Sequence, residues 1–306
     1  MGRCQNYLYK DWDPNEEPPM YDSAKVKHTF IEPEKVSKLP EPEDGEVIYL
    51  AKGEFLGKGT HGIIERVSPK TVVKTPLPNP YNPSEEVDIR LYVALEADIY
   101  KMIGPHPRVP RVYGYDPETY CLTLEYLPNG DLETYIRRHG DSISSRRRYR
   151  WIRQAAEAVR LLHALGIIHS DIHPRNFLLD AHLNLKIADF AGAMLVSDYG
   201  DPPSGYPSGY FRHPEHEEYP DFVNDVFGLG SLIYFIETGR YPFEDEAVDS
   251  SEAQNRFRED NFPDTSGLVC GDIIEECWVW TTQSDLEPTD MTAICNLVDD
   301  TLLFRI

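Results

Sequence analysis

The order of secondary-structure patterns limits the folds open to this chain more than any other feature. Short β-type runs come first, separated by Gly or Ser-Pro turn signals, at 47–50, 53–57, 62–67, 71–75, 111–115 and 120–126. One helical stretch, about 84–103, lies among them. Beyond Gly130 the pattern predicts helices at 146–165, 222–238 and 271–280, with two strand-like runs at 177–179 and 185–188. Strands first and helices afterwards indicate an α+β protein with two lobes.

Apolar residues at helical spacing predict which helix faces are buried. In the first helical stretch they recur every four residues, at Val87, Leu91, Leu95 and Ile99. In the stretch 146–165, which Gly166 ends, they are Trp151, Ala155, Val159 and Leu162.

Residues 1–45 have a different character. They contain many acidic residues and prolines and little periodicity, which predicts a mostly irregular extension in front of a domain spanning 46–306. Aromatic and apolar side chains could dock it on that domain: Tyr7, Leu8, Tyr9 and Trp12.

Composition excludes some classes of protein. The 306 residues are 41% hydrophobic, enough for a sizeable core and too many for a disordered chain. The formal charge of −22 repels nucleic acid and anionic membranes, so we expect neither as a partner.

The cysteines indicate the compartment. All five are widely spread and form no CxxC or zinc-ligand spacing, so we interpret them as free thiols in a reducing compartment, the cytoplasm or the nucleus. No apolar run approaches the ~20 residues of a membrane span.

The segment 56–64 has the spacing G-x-G-x-x-G, with glycines at Gly57, Gly59 and Gly62. Such a loop lets backbone N–H groups approach and bind phosphates. A glycine-rich hairpin without a ligand fits equally well, and the strand-like run after it disfavours a Rossmann fold, which needs a helix there.

Two charged residues follow in the strand-and-helix region. Lys74 ends the run Val72–Lys74, and Glu96 lies on the first predicted helix. They are either ordinary exposed residues or a buried pair in which Lys74 contacts both a phosphate and the carboxylate of Glu96.

The segments 169–179 and 187–192 carry the strongest chemical signal. Asp171 can accept a proton from a hydroxyl nucleophile. Asn176 and Asp189 offer hard oxygen ligands that suit Mg²⁺ carrying nucleotide phosphates. Taken singly, each is also a common turn residue.

Together these segments resemble the eukaryotic protein kinase family over roughly residues 50–306. The matches come in family order, and the gaps of five and thirteen residues between Asp171, Asn176 and Asp189 are the usual ones. Later matches are His213-Pro214-Glu215, the helix from Asp225, and Cys277-Trp278. The resemblance implies a bilobal fold, with a β-rich N-lobe at about 46–127 and a helical C-lobe at about 128–306.

The resemblance also implies a role for each matching residue. Gly57, Gly59 and Gly62 would cover the phosphates of ATP, and Lys74, held by Glu96, would contact them. Leu124 would be the gatekeeper beside adenine, and the backbone of Glu125 and Leu127 would bind the edge of the base. Asp171 would be the catalytic base, and Asn176 and Asp189 would hold Mg²⁺.

Four positions depart from the family. Ser170 replaces an arginine that normally pairs with a phosphorylated activation loop, and Ala191 replaces the glycine of Asp-Phe-Gly. His173 replaces a lysine that touches the transferred phosphate, so its titration near ~6.5 predicts a rate that falls between about pH 6 and 8. Glu215 lacks its usual arginine partner, since no arginine lies between Arg258 and Arg305.

We therefore expect an ATP- and Mg²⁺-dependent protein kinase. Ser208 and Pro174 favour Ser/Thr over Tyr as acceptor. Two alternatives stay open: a weak or inactive pseudokinase scaffold, and a small-molecule phosphotransferase like the aminoglycoside and choline kinases, whose loops often carry His-Pro. The sequence does not indicate an oligomeric state.

The negative charge is concentrated at one end. Residues 200–306 have 5 basic and 23 acidic side chains, a formal net charge of −18. In the resembled fold this part faces the protein substrate, which predicts acceptor sites flanked by Arg or Lys, unless the acidic side chains only form a solvated surface.

Overall fold

The computed structural model describes residues 6–10, 25–32, 38–198, 209–214, 221–279 and 290–303. The chain forms two compact units. The first comprises Met1–Asp98 and Arg111–Tyr126, and the second comprises Ile99–Pro110 and Leu127–Ile306. None of the helices in these described ranges is long and apolar enough to cross a membrane.

Residues 99–110 belong to the second unit, although the sequence placed them in the N-lobe. Hydrogen bonds explain this. The backbone N–H of Ile187 donates to the carbonyl of Arg108 at 2.8 Å, and Lys186 Nζ donates to the carbonyl of Val109 at 3.2 Å. These contacts join segments far apart in the chain, so local pattern cannot show them.

The first unit contains strands and the start of one long helix. The strands are β1 (Tyr7–Tyr9), β2 (Lys27–Ile31), β3 (Glu46–Leu50), β4 (Glu54–Lys58), β5 (Gly62–Ser68), β6 (Thr71–Pro76), β7 (Val112–Asp116) and β8 (Cys121–Glu125). The helix is α1 (Pro83–Ile103). Strands β4 to β8 form an antiparallel sheet in the order β4-β5-β6-β8-β7, which confirms the β-type runs between 53 and 126 as strands and puts β6 in the middle.

A second sheet includes two short segments of residues 1–45, β1 and β2, which the sequence did not predict; that the rest of this part is mostly irregular stays a prediction, because much of it lies outside the described residues. Strand β3 lies between β1, which is antiparallel to it, and β2, which is parallel to it. As predicted, Tyr7 and Tyr9 pack on core clusters that include Tyr49 and Tyr81, but they do so as parts of a strand. Leu8, also predicted to dock, is 36% exposed. Pairing between distant short segments leaves no local periodicity, which is why the sequence missed it. Trp12 lies outside the described residues.

Helix α1 buries a different face from the one predicted. Val87 and Leu91 are 52% and 54% exposed, whereas Ile89 and Val93 are buried. The predicted stripe is therefore wrong for its first two members. Because apolar residues occur on more than one face, spacing alone did not decide the buried one, which also carries Glu96.

The second unit is mainly helical, which completes the predicted α+β architecture. Its helices are α2 (Leu132–His139), α3 (Ser145–Ala164), α4 (Phe222–Thr238), α5 (Ser250–Arg258), α6 (Gly271–Val279) and α7 (Asp290–Leu303). Its strands form two antiparallel pairs, and they are β9 (Ile167–Ile168), β10 (Phe177–Leu179), β11 (Leu185–Ile187) and β12 (Met194–Leu195). Strand β9 pairs with β12, and β10 pairs with β11. The sequence predicted α3, α4 and α6 but not α2, α5 or α7.

Helices α3 and α4 pack together in the core of this unit. The predicted stripe of α3 is confirmed, since Trp151, Ala155, Val159 and Leu162 are all fully buried. Ser144 caps the start of α3 by accepting from the N–H of Arg147, and Gly166 follows its end with φ +69°. The buried α4 supports the loops described next.

Candidate active site

The glycine-rich segment joins β4 to β5. An added Cβ at Gly62 would lie 2.8 Å from the carbonyl oxygen of Thr75 and 3.2 Å from Cγ of Lys74, so the close approach of β6 requires glycine there. At Gly57 a Cβ would meet no described atom within 4 Å, and at Gly59 the carbonyl oxygen of Gly62 at 3.9 Å would be the nearest. Packing within the described chain therefore does not explain glycine at Gly57 and Gly59.

Lys74 and Glu96 form a buried ion pair. Lys74 lies on the central strand β6, opposite Ile64 and Leu122, and Glu96 lies on α1. Lys74 Nζ lies 2.5 Å from Glu96 Oε2, and the two side chains are 7% and 1% exposed. Lys74 and Glu96 are therefore a buried pair, and the alternative that both are ordinary exposed residues is wrong.

The residues predicted to line the adenine site lie at the end of β8 and just after it. Leu124 is buried on β8 opposite Val72. The N–H of Glu125 donates to the carbonyl of Arg111 at 2.8 Å. The carbonyl of Leu127 accepts from the N–H of Gly130 at 3.2 Å.

Asp225 of helix α4 anchors the loop that carries Asp171. Its carboxylate accepts from the N–H of His169 at 2.8 Å and of Ser170 at 2.9 Å, and His163 Nε2 lies 3.0 Å away. Asp225 is fully buried, and Ser170 has φ +67°. Non-glycine residues rarely adopt that conformation, and the two hydrogen bonds from consecutive N–H groups hold it.

Asp171 and Asn176 hold each other. Asn176 Nδ2 donates to the backbone carbonyl of Asp171 at 2.9 Å and to its Oδ2 at 2.8 Å. Burial raises the pKa of Asp171 above its ordinary value, and the nearby charge of Asp189 raises it further, whereas the hydrogen bond from Asn176 lowers it. A raised pKa makes this carboxylate a better proton acceptor.

His169 orients the same loop from the other side. Its Nε2 lies 3.1 Å from the carbonyl of Ala188, which can only accept, and its Nδ1 accepts from the N–H of Asp171 at 3.3 Å. The proton is therefore on Nε2. This imidazole ties the segment before Asp189 to the backbone of Asp171.

The antiparallel pair of strands β10 and β11 places Asn176 and Asp189 at the same end of that pair. Phe177 pairs with Ile187, and the N–H of Ala188 donates to the carbonyl of Asn176 at 2.9 Å. Because Asn176 uses Nδ2 on Asp171, its Oδ1 is the atom that can bind a cation. Asp189 is exposed, with φ +68°. These two oxygen donors fit Mg²⁺.

A family model described as "Protein kinase domain" matches residues 50–292. The match covers most of the chain. The chain belongs to the protein kinase family. Its β-rich first unit and helical second unit agree with that family's fold. Of the predicted residues of this kinase domain, Gly57, Gly59, Gly62, Lys74, Glu96, Leu124 and Glu125 lie in the first unit, and Leu127, Asp171, His173, Asn176 and Asp189 lie in the second.

Curated relatives are similar over parts of this kinase domain. "Probable serine/threonine-protein kinase KCC4" of Saccharomyces cerevisiae is 32% identical over 209 residues, 63% of this chain and 20% of the relative. "Serine/threonine-protein kinase GIN4" of the same yeast is 35% identical over 156 residues, 49% and 14% of the two chains. "Sucrose non-fermenting protein kinase 1" of Fusarium virguliforme is 30% identical over 185 residues, 59% and 26%. The chain thus spans about a quarter or less of these relatives.

His173, which replaces the family lysine, serves as a buried cap. It is 3% exposed, and its Nδ1 accepts from the N–H of Arg175 at 3.2 Å, capping the short 3-10 helix Pro174–Asn176. Its ring packs against Phe211 and Tyr241, with centroids 4.5 and 5.6 Å away. Burial lowers the pKa of His173 to about 3, and the charge of Arg175 contributes. The expectation that this residue changes charge between pH 6 and 8 is therefore wrong.

We expect His173 to make the folded protein less stable in acid. Below its ordinary value of ~6.5, the unfolded chain binds a proton that the folded chain does not bind until about pH 3. Its contribution is thus fully present above pH 6.5 and falls by about 1.4 kcal/mol per pH unit as the pH drops toward 3. His173→Asn, which keeps a capping acceptor, should flatten this slope in urea unfolding measured from pH 7 to 4.

The control is His182→Asn, because His182 is an exposed histidine of the same unit. It should leave the slope unchanged. Equal slopes for wild type and His173→Asn would refute the buried neutral state. The ratio of the kcat of His173→Asn to the kcat of the wild type should also be constant between pH 6 and 8.

Two further sequence predictions lie outside the described residues: those on Ser208 and Glu215. Ala191 is described, and it is buried beside Phe190, whose ring contacts Tyr100 and His169.

Two structural side chains were not found from the sequence. His163 binds Asp225, and Gln254 binds the segment 209–214. Both lie on helices more than 40 residues from their partners, so no motif spacing connects them. For His163 the only available signal was a polar residue within an apolar helix pattern, and α5, which carries Gln254, is too polar to show such a pattern.

Proposed function

We propose that this domain transfers the γ-phosphate of ATP, with Mg²⁺, to Ser or Thr hydroxyls of protein substrates. The observation that carries the proposal is the double hydrogen bond from Asn176 Nδ2 to Asp171. It fixes the predicted base and leaves an amide oxygen for a metal beside it.

The residues of each unit have complementary roles in the proposal. Gly57 and Gly59, which packing does not explain, give backbone room to the phosphates, and Lys74, held by Glu96, contacts them. Leu124, Glu125 and Leu127 bind adenine. Asp171 orients the acceptor hydroxyl and takes its proton. Asn176 and Asp189 hold Mg²⁺, which supplies charge neutralisation of the phosphates when bound.

Ser/Thr acceptors are favoured by the relatives, whose names describe serine/threonine-protein kinases. Basic flanking residues are favoured by the net charge of −18 over residues 200–306. Part of that charge is matched locally, for example by Arg137 with Glu244 and Arg256 with Glu246. We place the reaction in the cytoplasm or nucleus, in line with thiols that are free in the described part of the chain.

The test is transfer of labelled γ-phosphate from Mg²⁺-ATP to a Ser/Thr/Tyr peptide library, followed by phosphoamino-acid analysis. We expect phosphoserine and phosphothreonine, loss of transfer with EDTA, and a preference for Arg or Lys near the acceptor. Transfer to small alcohols but never to peptides would favour a small-molecule phosphotransferase. No transfer at all would favour a pseudokinase, and a preference for acidic flanks would contradict the substrate class.

A further inference from the structure

Segment 209–214 is fastened to helix α5 by one side chain. Gln254 is 3% exposed, and its Nε2 donates to the carbonyl of Gly209 at 2.6 Å and to the carbonyl of Arg212 at 2.7 Å. Both amide hydrogens are therefore used on backbone groups of this segment. We name this arrangement the Gln254 clamp.

The backbone of the segment lies directly on α5. An added Cβ at Gly209 would be 2.1 Å from the carbonyl oxygen of Ser250 and 2.8 Å from Cγ of Gln254, so only glycine allows this approach. Next to it, the hydroxyl of Tyr210 donates to the carbonyl of Val248 at 2.7 Å. Asp249 caps α5 by accepting from the N–H groups of Ser251 and Glu252. Gln254 therefore lies on a helix, α5, whose start is capped.

The clamped segment contacts the catalytic loop. Phe211 is fully buried, and its ring lies 4.5 Å from that of His173 and 5.2 Å from that of Tyr241. His173 caps the short helix that ends at Asn176, and Asn176 holds Asp171. A continuous series of contacts therefore leads from Gln254 to the proposed base.

Stability alone does not account for a glutamine at this position. Its Oε1 is buried and has no hydrogen-bond partner among the described residues. A buried acceptor without a partner destabilises the folded state, which offsets the gain from the two donated bonds.

We propose that Gln254 is a positioning residue for phosphoryl transfer. Its carboxamide fixes 209–214 on α5, so that Phe211 keeps His173 in the capping position that sets Asn176 against Asp171. The proposal rests on the proposed function of the domain.

The test compares Gln254→Met with Gln154→Met. Methionine is close to glutamine in length and lacks the N–H donors. Gln154 is also a buried glutamine of the second unit, and it bonds the N–H of Leu185 and Oδ1 of Asn184, away from the clamp. Per folded molecule, we expect Gln254→Met to lower kcat about tenfold, because small misplacements of reacting groups slow catalysis strongly. The KM for ATP should stay within about twofold, and Gln154→Met should change neither.

Hydrogen–deuterium exchange provides a readout that does not depend on activity. In Gln254→Met the amides of residues 209–213 should exchange at least about tenfold faster than in the wild type. In Gln154→Met their exchange rates should equal those of the wild type. Unchanged exchange in Gln254→Met would refute the clamp. Faster exchange with unchanged kcat, or equal losses of kcat in both variants, would refute the positioning role. If the wild type transfers phosphate no faster than Asp171→Asn does, the proposed function is refuted. The exchange rates would still show whether Gln254 holds the segment 209–214.

Discussion

Asp171→Asn is expected to lower kcat for phosphoryl transfer roughly 10²–10⁴-fold, because the amide cannot accept the proton of the attacking hydroxyl. The local structure should survive. The amide oxygen of the new side chain can still accept from Asn176 Nδ2, as Oδ2 of Asp171 does at 2.8 Å. The affinity for ATP, measured by titration with a fluorescent nucleotide, should therefore be unchanged.

Asp141→Asn is the matched control for this variant. Asp141 is an exposed aspartate of the same unit, on the 3-10 helix Gly140–Ser142, and we give it no part in catalysis. Its substitution should leave kcat within about twofold of wild type. A wild-type rate equal to that of Asp171→Asn would mean that Asp171 is not the base and that the domain is not an active kinase of the proposed type.

Breaking the Lys74–Glu96 pair should remove both activity and stability. In Lys74→Met the carboxylate of Glu96, which is 1% exposed, loses its cation within the core. Removal of one partner from a buried ion pair costs about 3–5 kcal/mol. Activity should fall below detection, because the phosphates lose their contact with Lys74. Urea unfolding and the peptide assay measure the two effects.

The double variant Lys74→Met/Glu96→Leu separates stability from catalysis. With both charges replaced by apolar side chains, most of the lost stability should return, since a buried pair is often no more stable than apolar residues of similar size. Activity should not return. Glu54→Gln breaks the exposed pair with Arg66 in the same sheet and should cost at most about 1 kcal/mol. Activity in the double variant would show that Lys74 does not contact phosphate.

The sequence predicted the parts of the site that depend on local spacing. Asp171 and Asn176 are five residues apart, and a single short loop brings them together. Asp189 follows a strand whose partner directly follows Asn176. Within such short hairpins and turns, the order of residues nearly determines their neighbours, so motif and structure agree.

Environment was harder to predict than position. At His173 the sequence shows the residue type, but the packing of Phe211 and Tyr241 on the ring decides its charge, and these come from distant segments. On α1 the exposure of Val87 and Leu91 depends on which face meets the sheet. Both errors arise because tertiary contacts override local pattern.

The central position of β3 in the three-stranded sheet has a consequence for where this domain can be cut. Both strands that pair with β3 come from residues before 46. Val47, Ile48 and Tyr49, which belong to β3 itself, are at most 1% exposed. Excision at residue 46 would bare both edges of that strand together with its apolar side chains, and such edges promote aggregation. The family match begins at residue 50, but we expect a stably folded fragment to need residues from Tyr7 onward, because β1 pairs with β3.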